Sequence, residues 1–185
     1  EVNRRRQNCQ DLPVLSCTKH QGLVDSLEYF DRQIFSEDTS GYKVVEHGEF
    51  AYATNHIEEG SIGYQTLHPK GLVSPMYTVF KTDSHRVNDM YIYKLLKTET
   101  FRHIFEINTS ASVDRRGSLR WKDFSKLPVP LPSLTEQTEI AEVIELMEKE
   151  IALLQADFAL LKAQKRGLMQ KLLTGKWRVK PDEPE

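Results

Sequence analysis

The sequence has only two cysteines, Cys9 and Cys17, too few for a disulfide framework, so a reducing compartment is the simpler setting. No apolar run approaches the roughly 18 residues a membrane span needs, and the amino-terminal stretch lacks the apolar middle of a secretion signal. A cytoplasmic location without membrane contact is therefore expected. Basic charge is not in excess either: 25 Lys+Arg stand against 27 Asp+Glu, a formal net charge of −2. The two signs are matched before Pro132, and acids slightly lead after it. The field of the whole molecule would not draw nucleic acid inward, so any such role must rest on local patches.

Catalytic signatures are missing as well. The chain has no phosphate-cradling G-x-x-x-x-G-K-[ST], no G-x-G-x-x-G after a strand, no H-E-x-x-H and no G-x-S-x-G. Its carboxylates are scattered, with no pair close enough to nominate as an acid/base dyad. Cys9, Cys17 and His20 match no familiar zinc spacing, and a fourth ligand would have to come from far away. No catalytic residue and no metal is expected in this chain.

What is present divides at Pro132. The 185 residues are 39% hydrophobic and 28% charged, a balance that supports one globular core with an appendage. The chain begins with Glu rather than Met, which leaves room for a missing start. Up to Pro132 short alternating runs predict strands at 12–17, 42–45, 50–54 and 76–81, with Gly22, Gly41, Gly48, Gly60, Gly63 and Gly71 read as separators. Helices are expected near 25–34 and 87–107. The fold class is α+β: one compact mixed domain at 1–132, a single long helix at 133–175 and a tail at 176–185.

The long helix is the clearest element. Ser133 followed by Glu136 fits a capping box, and Gly175 suits a left-handed terminator. Between them Ile140, Ile144, Met147, Ile151, Leu154, Phe158, Leu161, Leu168 and Leu172 recur at spacings of four and three, with Lys165 the one polar seam position. About 40 residues at 1.5 Å per residue make roughly 60 Å of helix. A domain of about 130 residues, with a radius of gyration near 14 Å, cannot cover that length, and no other segment repeats the heptad. The seam therefore calls for a second polypeptide or a further part of the protein. Acids crowd the first half of the helix and bases the second, which favours an antiparallel mate, although the same distribution complements the helix dipole.

Local polar clusters offer candidate nucleic-acid contacts. Thr18, Lys19 and His20 leave the first strand, and Thr54, Asn55 and His56 leave the strand at 50–54. Arg115, Arg116, Ser118, Arg120 and Lys122 gather around Gly117. Such side chains grip phosphates or read base edges, but most basic clusters are solvated surface, so residue types alone do not decide it.

Taken together, the stretches TSGYKVVEHGEFAYATNHIEEGSIGYQTL, GLVSPMYTVFK, RRGSLRWKDFSKLPVPLPSLTEQTEIAEVI and QKRGLMQKLLTGKWRV resemble the specificity subunit of type I restriction-modification systems. The entry LPVPLPSLTEQ and the exit LMQKLLTGKWRV carry most of the likeness; the domain before residue 120 matches by pattern. The resemblance implies a target recognition domain that reads one half of a bipartite double-stranded DNA sequence, followed by a spacer helix. It implies no catalysis in this chain. Modification subunits would bind S-adenosylmethionine and methylate adenine, and a restriction subunit would use ATP and Mg. A full subunit in the family carries two domain-plus-helix units with antiparallel helices, so this chain resembles half of one, either a half-length form that dimerises or a fragment that pairs with a second half. The competing reading is a protein-interaction scaffold whose helix pairs while the domain never meets DNA.

Overall fold

The computed structural model describes residues 1–5, 12–109 and 117–179. Cys9, Arg115 and Arg116 lie outside the described residues. The chain divides into two compact units, Glu1–Ala141 and Glu142–Glu185.

The first unit is built from short strands in three small antiparallel sheets. β1 (Leu15–Thr18) pairs with β2 (Gly22–Asp25), and β3 (Lys43–Glu46) pairs with β6 (Lys70–Val73). β4 (Phe50–Ala53) lies between β5 (Ile62–Tyr64) and β7 (Tyr77–Phe80). The four expected strands are present as β1, β3, β4 and β7, whereas β2, β5 and β6 were not anticipated. Two residues read as separators, Gly63 and Gly71, sit inside β5 and β6. The reason is close approach: a Cβ on Gly63 would collide with the backbone nitrogen of Leu23, and one on Gly71 would press into the Leu15 side chain. Burial is continuous along β4 and nearly so along β6 rather than alternating, which removes the period-two signal.

One short helix lies beside β2, and the helices that follow it cover the three-stranded sheet. α1 (Ser26–Phe30) is capped by Asp25, whose carboxylate accepts from the backbone N–H of Leu27. The single helix expected at 87–107 is two, α2 (Asp89–Leu96) and α3 (Glu99–Asn108). Thr98 is the cause: its hydroxyl caps α3 by accepting from Phe101 N at 3.3 Å, which starts a new helix in place of continuing the old one. α4 (Trp121–Phe124) is a single turn. Its Phe124 ring stacks on Tyr52 at 4.6 Å and lies 5.9 Å from Phe105, joining strand, helix and turn in one aromatic core with Phe50, Phe80 and Phe101.

After α4 the alternation of prolines with Leu127 and Val129 turns those two side chains onto the same core. α5 (Leu134–Leu173) then begins at once. Ser133 Oγ accepts from Glu136 N at 3.3 Å, one half of the expected box, and Gly175 adopts φ +72° past the far end. Gln137 fixes the helix start within the first unit. It is fully buried; its Oε1 accepts from Asn88 N at 2.9 Å, and its Nε2 donates to the carbonyls of Arg86 at 3.1 Å and Pro132 at 2.9 Å. Asn88 caps α2 through Tyr91 N and also donates to Thr138 Oγ1, so one residue serves both helices.

In the second unit the seam side chains are exposed: Met147 is 60%, Leu154 59% and Phe158 61% accessible. A further stripe not named from the sequence, Leu146, Leu153 and Leu160, repeats at sevens and is exposed too. With 3.6 residues per turn this stripe stands about 100° round the helix from the nearer seam position, with Glu150, Asp157 and Gln164 between, so it is a second apolar stripe and not a widening of the seam. Among the described residues no helix is long and apolar enough to cross a membrane.

Replacing Gln137 with Met keeps the volume but leaves Asn88 N–H and two carbonyls without their partner. Each orphaned group costs about 1–3 kcal/mol. Urea unfolding of the Gln137→Met chain is expected to show a midpoint lowered by the equivalent of about 3 kcal/mol with an unchanged slope; an unaltered midpoint would show that the Gln137 bonds add nothing.

Candidate nucleic-acid interface

The candidate contacts come from three chain segments, and the fold brings them side by side. The first is the turn Lys19–Gln21 between β1 and β2. Thr18 shapes it with one hydroxyl, which accepts from Gln21 N and donates to Gly22 O, both at 3.1 Å, leaving Lys19 and His20 exposed. The second follows β4, where Thr54, Asn55 and His56 lead into a 3₁₀ turn, Ile57–Glu59. Ile57 is completely buried and pins this segment to the aromatic core. The third is 117–122. Its Leu119 is completely buried and donates its N–H to Thr54 O at 2.9 Å, setting Ser118 and the exposed Arg120 beside the second segment. Lys122 is exposed on α4.

The first and second segments meet through Lys97, at the carboxyl end of α2. Its ammonium donates to Thr18 O at 3.2 Å and Lys19 O at 2.7 Å on one side, and to Gly60 O at 2.8 Å and Ile62 O at 3.3 Å on the other. Arg102 of α3 supports the second segment, donating from Nε to Glu58 O at 3.3 Å while its Nη1 donates to both oxygens of the Glu99 carboxylate at 2.6 and 2.7 Å. Sequence reasoning missed both residues. In KLLKTETFR they read as the ordinary solvated charges of a helix surface, and nothing in the local pattern signals the distant carbonyls.

Acidic groups temper the cluster. His56 Nδ1 lies 3.2 Å from Glu59 Oε1, and the donor atoms of His56, Glu58 and Glu59 fall within 4.8 Å of one another. His56 and Glu59 are exposed and already paired, an ordinary surface arrangement. Thr54 is only partly free to face outward, because its hydroxyl reaches Met76 O at 3.1 Å. The outward cations of the described cluster are therefore Lys19, Arg120 and Lys122.

Behind the β1–β2 turn, Cys17 is partly buried and its thiol donates inward to Ala51 O at 3.1 Å. Burial pushes the thiol up to about 12, outweighing the nearby Lys97 charge. The group is a small core side chain held as a neutral thiol.

Residues 24–163 match the family model of the type I restriction modification DNA specificity domain. The chain belongs to that family. It is 24% identical over 154 residues to the putative MjaX type I restriction enzyme specificity subunit of Methanocaldococcus jannaschii, covering 82% of this chain and 36% of that one. It is 28% identical over 110 residues to the MjaVIII specificity subunit of the same organism, covering 58% of this chain and 24% of that one. The chain thus spans about a third or less of the length of these relatives. Among solved structures it resembles the HsdS subunit of Thermoanaerobacter tengcongensis, with a TM-score of 0.61 at 18% identity, over 80% of this chain and 38% of that one. A chain from a type I restriction-modification assembly matches with a TM-score of 0.57 at 18% identity, over the same shares. The fold of the family, small sheets with a long carboxyl-terminal helix, is the fold described above.

Because the Cys17 thiol is neutral and turned inward onto Ala51 O, peptide-resolved alkylation with iodoacetamide at pH 8 should label it far more slowly in the folded chain than in denaturant. Rapid native labelling would show that the β1–β2 sheet opens readily.

Proposed function

We propose that this chain reads one half of a bipartite DNA target as part of a type I restriction-modification specificity subunit, without catalysing a reaction itself. The observation that carries the reading is that the fold ties together three sequence-distant segments bearing Lys19, Asn55, Ser118, Arg120 and Lys122, in a chain that belongs to the DNA specificity family. Cations on such loops hold phosphates and set register, and polar side chains between them reach base edges. Arg115 and Arg116 adjoin the third segment in sequence and complete the proposed contact set.

The uncovered face of α5 is the second part of the proposal. Met147, Ile151, Leu154, Phe158 and Leu161 are proposed to pack antiparallel on the helix of a second copy or of a second specificity half. That orientation sets Glu139, Glu142 and Glu145 near the Lys165, Arg166 and Lys171 of its mate. Modification subunits, which would carry S-adenosylmethionine, and a restriction subunit using ATP and Mg are the proposed partners in an assembly on double-stranded DNA. The near-neutral charge of the chain fits a division in which partner subunits supply part of the phosphate-binding surface.

Two measurements test the parts separately. Changing Arg120 and Lys122 together to Ala is expected to weaken DNA binding by the assembled complex and to lower the slope of log affinity against log salt by about 1 for each phosphate no longer held. Unchanged affinity and slope would favour the protein-interaction scaffold. Changing Leu154 and Phe158 to Asn should cost several kcal/mol of helix association, at about 1.5–3 kcal/mol for each large side chain left unburied. Sedimentation that is identical for the variant and the parent chain would show that this face joins no helix.

A further inference from the structure

We propose that Lys97 is a positioning residue for DNA reading: its ammonium clamps the Lys19–Gln21 turn to the Gly60–Ile62 loop, fixing the spacing of two reading segments without touching DNA. The inference rests on the DNA-reading function proposed above. The two segments belong to different sheets, β1 with β2 on one side and β5 with β4 and β7 on the other, so no strand ladder ties them together. Four carbonyl oxygens from the two segments point at one spot, two from each. Converging carbonyl dipoles repel one another, and a cation among them turns that repulsion into attraction. The loops already approach closely, since a Cβ on Gly60 would stand 3.5 Å from Lys19 O. Removing the charge at Lys97 frees both loops at the point where they carry Lys19, His20 and His56.

The environment of the ammonium supplies a readout that simple stability does not share. Burial lowers Lys97 from 10.5 to about 8, with the charge of Lys94 adding to the effect. Among the described residues the Cys17 thiol also faces it, and at about 12 it carries no charge between pH 7 and 9. The unfolded chain holds its proton longer than the folded one, so this group's own contribution to folding stability rises as pH climbs from about 8 toward 10.5. The clamp's charge, by contrast, is lost over the lower part of that range. Discrimination between DNA sequences should therefore fall as pH passes 8, while this group gives stability no reason to fall.

The test uses the full chain assembled with its modification subunits and a randomised duplex library, from which the parent complex selects its preferred sequence. The readout is the affinity ratio between the selected duplex and a scrambled one. For Lys97→Met the ratio is expected to drop about tenfold, the equivalent of one charge-assisted hydrogen bond, with scrambled-duplex affinity little changed. Lys97→Arg, which keeps the charge, should retain more of the ratio than Lys97→Met. For the parent complex the ratio should fall between pH 7 and 9, and for Lys97→Met it should stay flat. Hydrogen exchange on the DNA-free chain should rise in Lys97→Met at Gln21, Gly22, Ser61 and Ile62 and not in β3. An unchanged ratio in Lys97→Met, or unchanged exchange at those amides, overturns the clamp. If Lys97→Met does not fold, a pH-independent ratio in the parent complex overturns it equally. A parent complex that enriches no sequence at all would instead remove the DNA-reading function, and the exchange data would still decide whether Lys97 holds the loops.

Discussion

The uncovered apolar face of α5 is the constraint on which the rest depends. A helix of 40 residues with exposed Met147, Leu154 and Phe158 gains little from water and much from a mate, because apolar surface removed from water stabilises by about 25 cal/mol per Å². Leu146, Leu153 and Leu160 add a second exposed stripe, about 100° round the helix from the seam. Two such stripes offer apolar surface to more than one neighbouring helix. The start of the same helix is tied down by polar bonds instead: Gln137 and Asn88 satisfy one another and the backbone around them inside the first unit. One element therefore combines a specific, hydrogen-bonded root with a long apolar face, the properties wanted of a spacer.

The first unit solves a different problem, that of holding loops still with very short strands. Among the described residues no strand exceeds four residues, so ladders alone give little rigidity. The compensation is aromatic packing around Phe124 and Phe80, together with single buried anchors such as Ile57 and Leu119 that fasten each loop to that core. Lys97 adds a polar tie where the sheets leave a gap. Loops built this way can vary in outward residues while their roots stay fixed, which is the behaviour a recognition surface needs.

Much of this was legible in the sequence, and unevenly so. The helix was readable because its signal is long: a cap at Ser133, an apolar repeat over many turns and Gly175 at the end each point the same way. β2, β5 and β6 were not readable. Each is short, largely buried and contains a glycine, and in β5 and β6 that glycine serves close backbone approach, so the residue that usually marks a turn lay within the strand. The join between α2 and α3 was hidden because Thr98 sits within an apolar period while its hydroxyl caps the start of the second helix. As for the candidate interface, the outward residues could be named by type, but Lys97 and Arg102 could not. Apart from the local Arg102–Glu99 pair, their partners are backbone carbonyls 35 to 79 residues away, and bonds of that range leave no trace in local composition.

The central proposal is that this chain selects a DNA sequence through the loop cluster of its first unit and leaves the chemistry to its partners. Mapping methylated adenines across the genome of a host that expresses the chain with its modification subunit tests this most directly. The account predicts modification at a single interrupted motif that changes when residues 12–124 are exchanged for those of another family member, in both halves where the mate is a second copy and in one half where it is a second specificity half. Modification scattered without a motif, or a motif that survives the exchange unaltered, would contradict it.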